Sequence, residues 1–254
     1  RIMSTVKASW SQLPVQGSVL DAVTNLSGDR FATSTQDGSS AYVQIWEPDV
    51  NPGGDWLLVS QVSVPKPVTK LTWAHPESGL LLAGSTAQGN VVVLEAPRPF
   101  SKQPVNNPDS MDTEREGGEE DEEEDREWQG TSELQGGAAP IRQLLFAPRQ
   151  YGLLLSAASE DGHVYIWEAD RPLAPNSWCL QGKIQAASPK SGSGSSCGVA
   201  SMAWRGFNPG VAPLLAVGTA SALDVWQYVA QFMTWQRVAT LPLSTASTTT
   251  PAAP

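Results

Sequence analysis

A hairpin-like unit recurs four times along this chain of 254 residues, and the repeat restricts the possible folds more than any other feature. In its clearest copy, residues 147–168, an apolar run of small and branched residues is followed by Asp161-Gly162 and then by an alternating run that ends near Trp167. An Asp-Gly pair between two strand-like runs predicts a β-hairpin in which both turn residues adopt a positive φ. A recurring unit of this kind predicts a repeat architecture with one set of strands for each copy. The other copies are residues 27–47, 76–95 and 209–227.

Two further strand-like runs flank each hairpin. One precedes it, and one that begins with Trp follows it after a turn. Four strands in each repeat of an all-β chain are the pattern of a propeller blade, so we expect an all-β propeller. The preceding runs are residues 21–26, 68–73, 141–146 and 199–204; the following runs are residues 56–60, 178–181 and 235–240, with Trp128 in the equivalent place of the second unit.

All ten tryptophans fall at three positions of this unit. A buried indole removes about 150–250 Å² from water, so packing between repeats is the expected role. Trp10, Trp56, Trp128, Trp178 and Trp235 open the fourth strand, Trp46, Trp167 and Trp226 close the third, and Trp73 and Trp204 end the first.

The strand count indicates that the ring is unfinished. The chain contains four sets of first-to-third strands but five fourth strands that begin with Trp. The extra one is the run at Trp10, which resembles a fourth strand with no first-to-third strands before it. A closed ring of four blades has no place for this extra strand. We therefore expect an open, incomplete propeller of about four to five blades within residues 1–243. Exposed sheet edges recruit strands from partners.

Three polar segments are predicted to be disordered: an acidic insert at residues 98–127, a Ser/Gly-rich insert at residues 186–196, and a tail at residues 244–254. The net charge of −10 comes mainly from the first of them, since residues 112–127 hold 11 of the 26 acidic residues. The remainder is close to neutral and shows no basic stripe, which disfavours direct nucleic-acid binding.

The sequence gives no indication of catalytic chemistry. It contains no common nucleophile, phosphate-binding or metal-binding motif. His75 and His163 are expected in turns or at the surface, and Cys179 and Cys197 are expected to be reduced thiols. No apolar run reaches the roughly 18 residues that a membrane-spanning helix needs. We expect no enzyme activity, no catalytic residues, no cofactor, no metal, no small-molecule substrate and no membrane insertion.

The blade sequences resemble a known family. Trp73-Ala74-His75-Pro76-Glu77 with the following Gly and Leu-Ala resembles the second-blade motif of the SEH-type WD-repeat nucleoporins, close relatives of the Sec-thirteen coat proteins. Residues 146–168 resemble the third blade of this family, residues 177–180 its following strand, and residues 202–218 its fourth blade. The resemblance runs from about residue 18 to residue 243 in unbroken order.

This resemblance implies an open propeller of six blades, completed by strands or a blade that a helical scaffold nucleoporin donates. It further implies a place in the outer-ring Y complex of the nuclear pore at the nuclear envelope, with other outer-ring nucleoporins as partners. Support of nucleocytoplasmic transport of protein and mRNA follows, with a second role in the SEA/GATOR nutrient-sensing complex at the lysosome or vacuole. The chain departs from the family by its long acidic insert, by two C-terminal blades that it does not contain, and by Leu94, where a Trp or Phe normally ends the third strand.

The edge that a partner would contact is expected at the start of the first blade. Two alternatives remain open at this point. The chain could be a Sec-thirteen-type vesicle coat subunit, or a WD-repeat adaptor of a ubiquitin ligase, although the ring of Arg residues typical of such adaptors is missing. The candidate partner-binding residues are Val15, Gln16, Gly17, Ser18, Val19 and Leu20.

Overall fold

The computed structural model describes residues 13–49, 55–96, 128–171, 177–186 and 198–243. In these ranges the chain forms sixteen strands in four antiparallel sheets of four strands each, and every sheet is a meander in chain order. We call the sheets blades 1 to 4. Blade 1 holds β1 (Ser18–Thr24), β2 (Phe31–Asp37), β3 (Ser40–Pro48) and β4 (Trp56–Val64); blade 2 holds β5 (Val68–Trp73), β6 (Leu81–Thr86), β7 (Val91–Glu95) and β8 (Gln129–Leu134); blade 3 holds β9 (Ile141–Phe146), β10 (Leu154–Ser159), β11 (His163–Ala169) and β12 (Trp178–Gln185); blade 4 holds β13 (Ser201–Trp204), β14 (Leu214–Gly218), β15 (Ala222–Val229) and β16 (Thr234–Pro242).

The expected all-β propeller class is confirmed, with four blades in the described residues. Of the nine tryptophans within those residues, the two predicted to end first strands do so, and the four predicted to open fourth strands lie at or next to the strand start. The three predicted to close third strands, Trp46, Trp167 and Trp226, lie two or three residues before the strand end. The Trp10 strand, the acidic insert and the tail lie outside the described residues. Of the predicted Ser/Gly insert only Ala186 is described, and its N–H donates to the carbonyl of Gly162 (3.0 Å).

The hairpin turns differ from the expectation in one respect. Gly38, Gly89 and Gly162 adopt positive φ values of 56°, 85° and 89°. The prediction that both turn residues do so is wrong, because Asp37 and Asp161 keep a negative φ. At the blade 3 turn, the Gly162 N–H donates to the carbonyl of Ser159 (3.2 Å), which places only the glycine in the left-handed region, as in a turn closed by a glycine bulge.

Each third strand meets its fourth strand through a bulge at the same place in the repeat, just before the position of Trp46 in blade 1. The equivalent bulges precede Leu94, Trp167 and Trp226. Bulges increase the local twist and interrupt the regular pairing of the outermost strand, which resumes beyond each of them. The four blades therefore share one register as well as one strand order.

The core lies between the blades. Three clusters of buried side chains fill the joints between blades 1 and 2, 2 and 3, and 3 and 4. Among the described residues, no strand of blade 4 makes an extended contact with blade 1. The four blades thus form an arc, in which each blade has a backward face toward the preceding blade and a forward face toward the next one.

Candidate partner interface

The joint between blades 3 and 4 shows how two blades hold each other. The Trp204 indole, at the end of the first strand, packs edge-on against Trp235 with ring centroids 5.6 Å apart. Its Nε1 donates to Ser156 Oγ across the joint (2.9 Å). In addition, the Met202 N–H donates to Gln143 Oε1 (2.6 Å), which ties together the innermost strands of the two blades.

The joint between blades 1 and 2 repeats both devices. Trp73 packs edge-on against Trp128 with ring centroids 5.5 Å apart, and its Nε1 donates to the carbonyl of Val23 (3.1 Å). The Leu71 N–H donates to Asp21 Oδ2 (2.8 Å). A Trp at the end of the first strand and a side-chain acceptor in the preceding innermost strand are therefore recurrent elements of a joint.

The joint between blades 2 and 3 is built differently, because Phe146 replaces the Trp and cannot donate. An ion pair between Glu77 and Arg149 crosses this joint. On the backward face of blade 3, Tyr165 stacks on Trp167 with centroids 5.9 Å apart and donates its hydroxyl to Asp161 Oδ2 (3.1 Å). Burial and the nearby Asp161 carboxylate raise the pKa of Tyr165 to about 12. Burial also opposes ionisation of Asp161, but hydrogen bonds, led by that from the His163 N–H, hold its pKa below the usual value.

The forward face of blade 4 has the residue composition of a joint, but no neighbouring blade covers it within the described residues. Its middle strands present Ala216, Leu223 and Val225, which are only half-buried, and Leu241 on the outer strand is 57% exposed. At the positions of Ala216, Leu223 and Val225, the side chains of the other blades are fully buried. These buried equivalents are Ala32, Val43 and Ile45 in blade 1, Ala83, Val91 and Val93 in blade 2, and Val164 and Ile166 in blade 3.

The backward face of blade 1, at the other end of the arc, is polar. The Trp46 Nε1 donates to Thr33 Oγ1 (3.0 Å), and the Gln44 side chain accepts from Thr33 (3.3 Å) and donates to Gln61 (2.8 Å). Thr33, Gln44 and Trp46 are buried. The corresponding positions of blade 2 hold Gly84, Val92 and Leu94, which have no polar side-chain atoms. The polar backward face of blade 1 therefore differs in chemistry from the apolar forward face of blade 4 at the other end of the arc.

The sequence-predicted partner residues lie at the same end as this polar face. Residues 15–17 precede β1, and Ser18, Val19 and Leu20 are its first three residues. Val19 is 51% and Leu20 37% exposed, next to the bulge between Val19 and Asp21. Gln16 and Gly17 are exposed and Val15 is half-buried. The blade 4 face was missed, because Ala222–Val229 repeats the apolar pattern of the buried third strands and no local signal in the sequence marks it as exposed.

A cavity of about 580 Å³ opens where the innermost strands end, and it is lined mainly by apolar side chains that include Trp73, Phe146 and Trp204. His75 also lines it, and its Nδ1 accepts from the Glu77 N–H (3.3 Å). The described residues contain no cluster of His, Cys, Asp or Glu that could hold a metal ion. None of the helices described is long and apolar enough to cross a membrane.

Comparison of the sequence with known proteins finds nucleoporin SEH1 and sec13 proteins among its relatives. Nucleoporin SEH1 of Xenopus tropicalis is 28% identical over 158 residues, 62% of this chain and 38% of that protein. Nucleoporin SEH1 of Osmerus mordax is 26% identical over 84% of this chain and 53% of its own length. The protein transport protein sec13 of Emericella nidulans is 26% identical over 87% of this chain and 64% of its own length. The chain thus spans between 38% and 64% of these relatives. No family model matches it.

Solved structures support the fold alone. A protein from Lactobacillus plantarum superimposes with a TM-score of 0.57 at 12% identity, over 88% of this chain and 56% of its own. Sqt1 of Saccharomyces cerevisiae gives a TM-score of 0.57 at 14% identity, over 89% of this chain and 51% of its own. Together with the blade architecture, these results show that the chain is a WD-repeat β-propeller, and its sequence is similar to those of SEH1 and sec13 proteins.

Proposed function

We propose that this chain is a structural scaffold nucleoporin of the nuclear pore outer-ring Y complex, where it supports the transport of protein and mRNA. In this proposal a helical scaffold nucleoporin supplies strands or a blade that completes the open propeller, and other outer-ring nucleoporins are further partners. A second role in the SEA/GATOR complex belongs to the same proposal. The similarity to SEH1 proteins over 62–84% of the chain supports it.

The observation that carries the proposal is the forward face of blade 4. Ala216, Leu223 and Val225 have the residue types of a buried joint, yet water reaches them. A contiguous apolar face that the described part of the chain leaves open is the kind of surface that another protein covers. Val19 and Leu20, at the opposite end of the arc, are the second proposed contact, through strand addition to β1.

The role that we propose is not enzymatic. A scaffold acts by binding other proteins through its surface. The blade 4 face and the start of β1, on which the proposal depends, are surfaces of this kind. Neither a cofactor nor a small-molecule substrate is part of the proposal.

Affinity purification of the tagged protein, followed by mass spectrometry, tests the function. We expect outer-ring nucleoporins in stoichiometric amounts. The Val225→Asp variant, which places a charge on the half-buried face, should lose the partner that docks there, while Leu180→Asp, on the exposed outer strand of blade 3, should retain it. Thermal unfolding of both variants separates lost binding from lost folding. Equal recovery of partners with Val225→Asp and the unmodified protein would exclude the blade 4 face as the interface.

One alternative has its own support. The sec13 relative covers 87% of this chain, slightly more than the SEH1 relatives do, which favours a vesicle coat subunit as the second candidate. Recovery of coat subunits without nucleoporins would select this alternative. Recovery of a ubiquitin ligase would instead select the adaptor role.

A further inference from the structure

The outer strand of blade 1 differs from the other three outer strands in its charge. β4, with the sequence WLLVSQVSV, contains no charged residue. The equivalent strands contain Glu133 in β8, Lys183 in β12 and Arg237 in β16. Within the described residues β4 pairs with β3 alone, so its other side is a free sheet edge. Proteins usually protect such an edge with a charge, and β4 has no such protection.

Three consecutive apolar side chains on this edge are exposed to water. Leu57 is 50%, Leu58 45% and Val59 48% exposed. The same three positions read Gln-Gly-Thr in β8, Cys-Leu-Gln in β12 and Gln-Arg-Val in β16, so no other blade has an apolar run there. All four outer strands share the bulge at this point, and the composition is therefore what makes β4 different.

The end of this edge where β4 begins is acidic. The Asp49 N–H donates to the carbonyl of Asp55 (2.9 Å), which brings the two aspartates together beside Trp56. The Glu47 carboxylate is paired with Arg30, so the exposed Asp55 carries the negative charge that this end offers. A positively charged group on an incoming chain would find complementary charge at this end.

We propose that the β4 edge binds an extended peptide segment by β-augmentation, with aliphatic residues at alternate positions and a Lys or Arg beside Asp55. Main-chain hydrogen bonds to the free edge supply affinity in this mode, and the apolar side chains supply specificity. This site is separate from the proposed blade 4 interface.

The size of the patch favours a peptide over a second copy of this chain. Three side chains that are each about half exposed can bury only a few hundred Å² in total, whereas a stable protein–protein interface buries about 1,200–2,000 Å². An extended peptide does not need such an area, because it also gains backbone hydrogen bonds along the strand.

Selection from a phage-displayed library of random ten-residue peptides tests this proposal with the purified protein. We expect enriched peptides with alternating aliphatic residues and a basic end. Their affinity, measured by fluorescence anisotropy, should fall at least tenfold with Leu58→Lys. Leu180→Lys is the matched control, since Leu180 occupies the same position of blade 3 and is 51% exposed. It should leave the affinity unchanged.

Two further measurements complete the test. Thermal unfolding of both variants should match the unmodified protein, because both side chains are exposed, and Val59→Lys provides a second variant if Leu58→Lys does not fold. Amide chemical-shift changes caused by an enriched peptide should centre on residues 57–60. The proposal would be overturned by an absence of enriched peptides, by equal effects of Leu58→Lys and Leu180→Lys, or by chemical-shift changes centred elsewhere. It would also be overturned if the free protein dimerised and Leu58→Lys abolished the dimer, because the edge would then bind a second copy of this chain.

Discussion

Blades 2 and 4 present nearly the same forward face, but within the described part of the chain only the face of blade 2 is covered. Val93 in blade 2 and Val225 in blade 4 occupy the same position of the repeat, and so do Val91 and Leu223. The blade 2 residues are fully buried against blade 3, whereas the blade 4 residues are half-buried. The repeat therefore encodes an apolar face that can form a joint. Whether this face contributes to stability or to binding depends on what packs against it.

The largest expected effect comes from truncating this shared position in the two blades. Val93→Ala removes two methyl groups from a closed joint and should lower the free energy of unfolding by about 2 kcal/mol, from the lost transfer energy and the cavity. Val225→Ala makes the same change on a half-exposed face and should cost about 0.5 kcal/mol or less. Urea denaturation of both variants measures the difference. Equal losses would show that the blade 4 face is as well covered as a joint.

A smaller effect distinguishes joints with a Trp from the joint with Phe146. Trp204→Phe keeps an aromatic ring but removes the donor to Ser156, which should cost about 0.5–1.5 kcal/mol. The Ser156 hydroxyl also donates to the carbonyl of Leu145 (3.0 Å), so it remains satisfied and the cost stays low. A double-mutant cycle with Ser156→Ala isolates this hydrogen bond. A coupling energy near zero would assign the role of Trp204 to packing alone.

The blade pattern could be predicted from sequence because its signals are local. Gly162 and Gly89 mark the turns, and Trp73 or Trp178 marks a strand end, whatever lies nearby. The φ of Asp161 could not be predicted in this way, because it depends on the hydrogen bond that closes the turn between Gly162 and Ser159. The bulges also require a knowledge of strand pairing.

The candidate interface was only partly accessible from sequence. Counting Trp-led strands indicated an open end and led to Val19 and Leu20, which are exposed, although their role in binding remains a prediction. The blade 4 face could not be found by composition, because Val225 has the same residue type as buried Val93. Its exposure depends on what packs against it, and no local pattern records this.

The smallest expected change in stability at neutral pH comes from a position on the backward faces of the blades whose residue type varies. This position is occupied by Tyr165 in blade 3 and by Asp224 in blade 4. Burial and the Asp161 carboxylate raise the pKa of Tyr165 to about 12, so the folded protein favours the neutral phenol. An unfolded tyrosine ionises near pH 10, and stability should therefore fall as the pH rises from about 10 to 12. Tyr165→Phe should flatten this part of the curve of unfolding free energy against pH. A Tyr165→Phe curve parallel to that of the unmodified protein would mean that Tyr165 ionises equally in both states, and the joint between blades 2 and 3 would then exclude water less well than its geometry indicates.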